Sequence, residues 1–193
     1  VNDLYTALEY ETKKEFNTGF TLLFFYGMRI REMLGLQWKD IDFDSKTVHV
    51  ERNLQIDGTY STPKSGKDRF VTLPDEAIEA LKDYKSQCYC IDLDTPVFLQ
   101  NYKAFERHLK SIINKSGVPA ITLHDLRHSH ASMLIEMNVN PLVISERLGH
   151  SDVQLTLNVY SHLYPNKHAE TANMIQSFIC QNRNANTLKT ALN

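Results

Sequence analysis

The chain has 193 residues, which is enough for one ordinary domain with a hydrophobic core. Its 42% hydrophobic and 23% charged residues are typical of a globular protein and exclude an intrinsically disordered one. The net charge of −2 excludes a strongly basic protein, although it leaves room for a local basic cleft.

The cysteines and the chain start bear on cellular location. Cys88, Cys90 and Cys180 are odd in number, which favours reduced thiols in a cytoplasmic protein. No apolar run approaches the ~20 residues of a membrane span. The first residues lack the pattern of a signal peptide and an initiator methionine, so we expect an excised domain whose N-terminal partner domain is missing.

In the first half of the chain, a helical region is followed by strands. Apolar residues recur at helical spacing over residues 1–36, with a break at Gly27. Alternation predicts strands at residues 47–50 and 69–73, with a turn at Gly58 and a hairpin tip at residues 62–67. A helix is predicted to open at residues 74–76 and to run to about residue 85, since proline and acidic residues suit a helix start.

The second half, from residue 101 onward, predicts helices almost throughout. Breaks are expected at residues 117–119, at residues 138–141 and at Gly149, with one helix at about 123–137. A last helix is predicted at about residues 165–181, before a polar tail. The predicted fold class is therefore mainly α with one small antiparallel β-sheet (α+β).

Residues 124–130 read HDLRHSH and place three histidines within seven residues. His124 and His128 have the spacing of the H-E-x-x-H zinc motif, but the shorter Asp125 replaces its glutamate and Arg127 would repel the metal. Ordinary hydrogen-bonded histidines are one alternative. Another is an anion site, in which His124 and Arg127 donate together to a phosphate.

Two further segments carry residues that suit an anion site. Arg29 follows the break at Gly27, where a guanidinium and backbone N–H groups can face an anion together. Glu32 lies one turn on and is placed to orient a basic neighbour, although an ordinary surface Arg–Glu pair would give the same pattern. A short amphipathic helix at residues 141–148 precedes Gly149-His150.

Four blocks, in order between about residues 18 and 165, together resemble the tyrosine recombinases (phage integrase family). They are GMRIREML at 27–34, KSGKDR at 64–69, HDLRH at 124–128, and LGH at 148–150 with a tyrosine ten residues on. Each block alone is a weak to moderate signal, but accidental agreement of all four is improbable. The departures, at Arg31 and Met33, do not touch the catalytic positions.

The resemblance implies six catalytic residues, which match the family's motifs at Arg29, Lys64, His124, Arg127, His150 and Tyr160. The two arginines correspond to a clamp on the scissile phosphate, and the two histidines correspond to supporting donors. Lys64 corresponds to a mobile general acid, with Lys67 as its nearest competitor, and Tyr160 corresponds to the nucleophile. The resemblance implies no metal and no cofactor.

Further residues are expected around these six. Glu32 and His128 are expected to support the clamp, whereas His130 and His162 are expected to be incidental. The remaining basic residues of the blocks are expected to bind DNA: Arg31, Lys67 and Arg69.

The resemblance also implies a domain organisation. Residues 1–164 are expected to form the catalytic domain, and DNA-binding domains are expected to lie N-terminal to this chain. Residues 165–193 are expected to form a C-terminal helix and tail, which pack either on their own domain or on a neighbouring protomer.

The implied activity is site-specific cleavage and rejoining of DNA through a covalent 3′-phosphotyrosyl intermediate, for integration or excision of a mobile element. The implied partners are double-stranded DNA with specific attachment or core sites, further copies forming a tetramer on DNA, and accessory proteins such as an excisionase or a DNA-bending factor. No membrane is implied, and the expected location is the cytoplasm of a prokaryote, at the nucleoid.

Three alternatives remain at this point. A type IB topoisomerase-like enzyme would use the same chemistry to relax DNA. A non-catalytic regulator could use helices at 141–148 and 151–160 as a helix-turn-helix. A zinc hydrolase would use the histidines of HDLRHSH.

Overall fold

The computed structural model describes residues 2–63, 66–89, 92–160 and 172–179. The chain divides into two compact units, Val1–Ser161 and His162–Asn193. No helix within the described ranges is long and apolar enough to cross a membrane.

The first unit contains α-helices and short strands. The helices are α1 (Asn2–Leu8), α2 (Lys14–Tyr26), α3 (Ile30–Leu34), α4 (Asp75–Ser86), α5 (Tyr102–Ser116), α6 (Leu123–Glu136), α7 (Pro141–Leu148) and α8 (Val153–Tyr160). The strands are β1 (Ile41–Asp42), β2 (Thr47–Val50), β3 (Asn53–Leu54), β4 (Tyr60–Ser61) and β5 (Arg69–Thr72). This composition confirms the predicted mainly α fold class.

The predicted helical region at the chain start is broken twice. Gly27 ends α2 in the left-handed conformation, at φ 60°, and its N–H donates to the Leu23 carbonyl. Its lack of a β-carbon makes this conformation accessible. A second break, at residues 9–13, was not predicted. There the Glu11 carboxylate accepts from the Lys13 N–H at 2.9 Å and contacts the His108 ring at 2.7 Å, so a tertiary contact stabilises the turn.

The strands of the described chain form two antiparallel sheets, where a single one was predicted. One has the order β1-β2-β5, with Val48 opposite Val71 on the buried face. The other is the hairpin β3-β4, which turns at Gly58 with φ 84°. The two strands of this hairpin are two residues long, so they are too short to show the alternation from which strands are predicted.

Helix α2 is the centre of the core and packs against both α4 and α6. Its Phe20, Leu23 and Phe24 are almost completely buried. Burying each such side chain contributes roughly 1.5–3 kcal/mol. Gly19 lets this helix approach α5 closely, because a β-carbon at Gly19 would lie 2.4 Å from the Phe105 ring.

We expect Gly19→Ala to destabilise the domain even though alanine favours a helix. The Phe105 ring is fully buried and contacts Phe16, Phe20 and Phe98, so it has little room to move. Overpacking costs about 1–3 kcal/mol, against about 1 kcal/mol gained in helix propensity. Urea unfolding should therefore show a net loss, and Gly19→Ala/Phe105→Leu should lose less than the sum of the two single variants. Additive losses would contradict the contact.

The second unit is described only at residues 172–179, which are helical. This segment lies within the helix predicted at residues 165–181, and the rest of that prediction lies outside the described residues. The packing of the C-terminal segment, in its own protomer or in a neighbour, stays a prediction.

Candidate active site

The turn after α2 places Arg29 at the start of α3. The buried Glu32 carboxylate holds this arginine twice, accepting from its backbone N–H at 3.0 Å and from its Nη1 at 2.8 Å. A carboxylate that reaches back to the N-cap N–H satisfies one of the free donors of a helix start. The backbone and side chain of Arg29 are therefore oriented by the same group.

The HDLRHSH segment lies in the first half of α6. Thr122 caps this helix, and Asp125 accepts from the Thr122 N–H at 2.7 Å and from its hydroxyl at 2.8 Å. The backbone hydrogen bond from Thr122 lowers the pKa of Asp125, which keeps this carboxylate ionised. Asp125 is thus engaged in a capping box.

The structure accordingly provides no counterpart of the zinc-motif glutamate. Among residues 2–63, 66–89, 92–160 and 172–179, no three His, Cys, Asp or Glu side chains are grouped so that they could hold a metal ion.

Arg127 is buried and joins three of the sequence blocks. Its Nη1 donates to the Gly27 carbonyl at 2.6 Å and its Nη2 donates to the Leu148 carbonyl at 2.8 Å. Arg29 donates through Nη2 to the next carbonyl, that of Gly149, at 3.3 Å. Because the two guanidiniums bind consecutive carbonyls, they meet at the same turn.

Gly27 and Gly149 are both required by close packing as well as by conformation. A β-carbon at Gly27 would lie 2.6 Å from the Leu148 side chain and 2.7 Å from the His130 ring. Gly149 has φ 66°, and a β-carbon there would lie 2.6 Å from the Arg69 guanidinium. The two glycines therefore let their carbonyls and the arginines come together.

Glu32 binds a second arginine besides Arg29. Arg69, the first residue of β5, donates from Nη2 to Oε2 at 2.7 Å and from Nη1 to Oε1 at 3.1 Å. Burial on its own would raise the pKa of Glu32, but the hydrogen bond and charge of Arg69, together with Arg29, bring that pKa below its usual value. Glu32 is therefore ionised at neutral pH.

His150 lies at the same turn as the two guanidiniums. Its Nδ1 is 2.8 Å from the hydroxyl of Thr156, a residue with no exposed surface. Burial, followed by the charges of Arg127, Arg29 and Arg69, lowers the pKa of His150 to about 4. At neutral pH His150 is thus an uncharged imidazole whose ring is oriented by Thr156.

His124 and His128 lie together on α6, with ring centroids 4.7 Å apart. Partial burial lowers the pKa of His124, and His128 and Arg127 act in the same direction. His124 is therefore uncharged at neutral pH.

His130, which was expected to be incidental, is a core residue. It is almost fully buried, and its Nε2 accepts from Arg147 Nε at 3.2 Å. Arg147 also lies over the Tyr26 ring, at 5.3 Å from the centroid. The bond from Arg147 requires an unprotonated Nε2, so His130 supports the packing of α7 in its neutral form.

Two predicted catalytic groups lie outside the described residues: Lys64, and the side chain of Tyr160. The backbone of Tyr160 is described and ends α8. Of the predicted DNA contacts, Arg31 is exposed and donates to Gln55 at 3.1 Å, and Lys67 is exposed. All the predicted site assignments therefore stay predictions, although Arg29, Glu32, Arg127, His124, His128 and His150 lie together.

A cavity of about 700 Å³ lies between β5 and the turn from α7 to α8. Its lining includes Lys67, Arg69, Arg147 and His150, along with Asp68 and Glu146. Basic groups thus border the open space beside the arginine pair, although the chain as a whole is slightly acidic.

Sequence reasoning missed several residues that organise this site. Thr156 carries no motif, and its role follows only from its contact with His150. Arg147 lies in the predicted amphipathic helix at residues 141–148, and no motif marked it. A sequence signal existed only for Gly27 and Gly149, since a glycine at a helix end suggests a left-handed residue.

The fold described above is that of a tyrosine recombinase catalytic domain, and the comparisons with known proteins identify the family. The model of the phage integrase family matches residues 1–167. The chain therefore belongs to the phage integrase family.

Several relatives and solved structures are similar to this chain. The ICEBs1 integrase of Bacillus subtilis (strain 168) is 34% identical, covering 85% of this chain and 49% of its own. A XerC-like tyrosine recombinase of Caldanaerobacter subterraneus subsp. tengcongensis is 32% identical, covering 76% of this chain and 45% of its own. The chain spans about half the length of these curated relatives.

Solved structures show the same fold. The Tn1549 transposon integrase, in complex with a circular intermediate DNA, has a TM-score of 0.73 at 20% identity, covering 91% of this chain and 63% of that one. The XerA recombinase has a TM-score of 0.69 at 22% identity, covering 90% of this chain and 62% of that one.

The buried His130 predicts a specific pH dependence of stability. Burial, and the charge of Arg147, lower its pKa to about 3, whereas an unfolded chain binds the proton below about pH 6.5. Between these two pH values the folded state holds fewer protons than the unfolded state. The contribution of neutral His130 to the free energy of unfolding is therefore complete above pH 6.5 and is lost as the pH falls towards 3. The slope from this group is about 1.4 kcal/mol per pH unit.

Urea unfolding between pH 6 and pH 4.5 should show this slope, added to that of the other titrating groups. In His130→Gln, whose amide oxygen can still accept from Arg147, the free energy of unfolding should fall less steeply by about 1.4 kcal/mol per pH unit. Parallel curves for the two proteins would show that His130 does not titrate in this way.

Proposed function

We propose that this chain is the catalytic domain of a site-specific DNA recombinase that cleaves and rejoins strands of double-stranded DNA during integration or excision of a mobile element. The observation that carries the proposal is the pair of guanidiniums, of Arg29 and Arg127, held side by side on the Leu148 and Gly149 carbonyls. A neutral histidine, His150, lies at the same turn, and a tyrosine follows it ten residues on.

The net positive charge of the cluster favours an anionic ligand. Arg29, Arg69, Arg127 and Glu32 carry a net charge of +2, three guanidiniums against one carboxylate. Adjacent like charges repel each other, and a phosphodiester between them would relieve the repulsion. Two guanidinium forks match the non-bridging oxygens of a phosphate, which supports a phosphate as the ligand.

In the proposed reaction the Tyr160 phenol oxygen attacks the scissile phosphorus. The bond from phosphorus to the 5′ oxygen breaks, and Lys64 donates a proton to that oxygen. Arg29 and Arg127 stabilise the charge that develops on the non-bridging oxygens, and they also favour the phenolate form of the nucleophile. With Thr156 donating to Nδ1, His150 would present its Nε2 hydrogen to the phosphate.

The product would be a 3′-phosphotyrosyl bond and a free 5′ hydroxyl. Attack of a 5′ hydroxyl from a partner strand on this bond would release Tyr160 and complete strand exchange. The energy of the phosphodiester is kept in the covalent intermediate, so the exchange requires no nucleotide cofactor.

Partners follow from this chemistry and from the relatives. Exchange between two duplexes uses four strands, which supports a tetramer assembled on DNA. The Tn1549 integrase and XerH structures are complexes with DNA, which supports a DNA substrate here as well. An excisionase or a DNA-bending factor would select the direction of the reaction, and further domains of the whole protein would supply part of the DNA affinity.

A covalent capture experiment tests the proposal. The chain is incubated in EDTA with a pool of nicked duplexes of randomised sequence, in which the short 5′-hydroxyl fragment diffuses away after cleavage. Low salt keeps a domain with few phosphate contacts bound. We expect a covalent adduct on a denaturing gel, and protease digestion should leave a peptide containing Tyr160 on the 3′ phosphate.

The matched control for this capture is Tyr160→Phe, which should form no adduct with the same pool. Absence of an adduct with the unsubstituted chain, or an adduct that survives in Tyr160→Phe, would contradict the proposed nucleophile. A supercoiled plasmid carrying two copies of the captured sequence then separates strand exchange from topoisomerase-like relaxation. Binding without any adduct would favour the helix-turn-helix regulator, and activity lost in EDTA would favour the zinc hydrolase.

We expect Arg127→Lys to lose cleavage by about 10²–10³-fold. The planar fork of Arg127 reaches the Gly27 and Leu148 carbonyls together, whereas a lysine ammonium is a point charge and cannot reproduce that geometry. Single-turnover cleavage of the captured duplex, at saturating protein, measures the effect. Cleavage within about threefold of the unsubstituted rate would contradict the clamp.

A further inference from the structure

Arg69 was predicted to contact DNA, but its guanidinium faces the protein. Nη1 and Nη2 donate to the two oxygens of Glu32, and Nε donates to the Arg147 carbonyl at 3.2 Å. The guanidinium also packs against Gly149, where a β-carbon would lie within 2.6–3.0 Å of its atoms. Only 10% of the Arg69 side chain is exposed, compared with 22% for Arg29.

The contact of Arg69 with Glu32 affects how many N–H groups of Arg29 can donate to a ligand. If Arg69 were absent, the buried carboxylate would face Arg29 alone, and the two charges would cancel. Because Arg69 binds both carboxylate oxygens, Arg29 gives Glu32 a single Nη1 bond from its side chain. The remaining N–H groups of Arg29, apart from the one that faces Gly149, are then available to an anion.

Arg69 also connects strand β5 with the rest of the site. It begins β5, pairs with Val50 of β2, and follows Lys64 by five residues. Its bond to the Arg147 carbonyl attaches this strand to α7, immediately before the turn that carries His150. The Arg69 side chain therefore links β5 both to Glu32 in α3 and to the end of α7.

We infer that Arg69 is a positioning residue for the cleavage reaction, acting through Glu32 on Arg29 and through the Arg147–Gly149 turn on His150. The inference rests on the proposed function. It assigns Arg69 a contribution to the rate of cleavage without a direct contact to the scissile phosphate.

The test compares Arg69→Gln with a matched control, Arg52→Gln. Arg52 forms a similarly buried ion pair with Asp40, at 2.8 Å and 3.3 Å. It also contacts Gln37, Glu51 and Tyr60, none of which belongs to the clamp. Three quantities are measured on the captured duplex and on the free protein: the dissociation constant as a function of salt, the single-turnover cleavage rate at saturating protein, and the unfolding midpoint.

For Arg69→Gln we expect a cleavage rate about 10–100-fold lower, less than the loss on removing a direct phosphate donor. The dissociation constant and its salt dependence should stay close to those of the unsubstituted chain, because no phosphate contact is removed. Arg52→Gln should lower the unfolding midpoint but leave the cleavage rate within about twofold.

A second variant tests the route through Glu32. Arg69→Gln leaves a net charge of +1 in the cluster, and adding Glu32→Gln restores +2. The double variant should therefore cleave several-fold faster than Arg69→Gln alone, a non-additive result that identifies Glu32 as the route. Arg69→Lys should cleave about 5–10-fold more slowly than the unsubstituted chain, because an ammonium cannot hold both oxygens in the same geometry.

Three results would overturn the inference. A weaker dissociation constant with a shallower salt slope and normal cleavage would make Arg69 a DNA contact. Equal behaviour of Arg69→Gln and Arg52→Gln would make the pair merely structural. If Arg69→Gln does not fold, the cleavage rates of Arg69→Lys and of the double variant are compared instead. Rates equal to that of the unsubstituted chain in both variants would overturn the inference. No adduct from the unsubstituted chain would instead reject the proposed function, and this inference with it.

Discussion

The Glu32 carboxylate has no exposed surface, and an ionised carboxylate in such a position is costly unless basic groups pair with it. Arg29 and Arg69 supply these groups, and Arg69 binds the Arg147 carbonyl as well. The start of α3, the start of β5 and the end of α7 must therefore meet at one point. The arrangement of the remaining site residues depends on this meeting.

Two backbone carbonyls hold the second arginine of the cluster. Arg127 donates to the carbonyls of Gly27 and Leu148, which bind two of its five N–H groups without cancelling its charge. The cluster thus keeps a net positive charge while its geometry is rigid. A site prepared in this way stabilises developing negative charge without reorganising during the reaction. The glycines at positions 27 and 149 allow this close approach.

Charge at the site differs from charge over the whole chain, and the difference bears on function. The chain carries −2 overall, so long-range attraction to DNA is weak, but the arginine cluster carries a net positive charge and Lys67, Arg69 and Arg147 line the cavity beside it, together with Asp68 and Glu146. Asp125, the only carboxylate of HDLRHSH, is engaged in capping the helix start. It therefore does not pair with Arg127, whose Nη1 donates to the Gly27 carbonyl instead.

Much of the fold and part of the site could be predicted from the sequence, because helical periodicity, glycine breaks and motif order are local properties. They indicated the helices around Arg29 and Arg127, the helix breaks at Gly27 and Gly149, and the family to which the chain belongs. They failed where the outcome depended on contacts between distant residues. The bond of Arg69 to Glu32 spans 37 positions and that of Arg29 to Gly149 spans 120, and neither leaves a periodic signal. Only the tertiary structure could therefore decide that Arg69 faces inward, that His130 is a core residue and that Thr156 orients His150, since each role is set by what lies opposite the side chain in the folded protein.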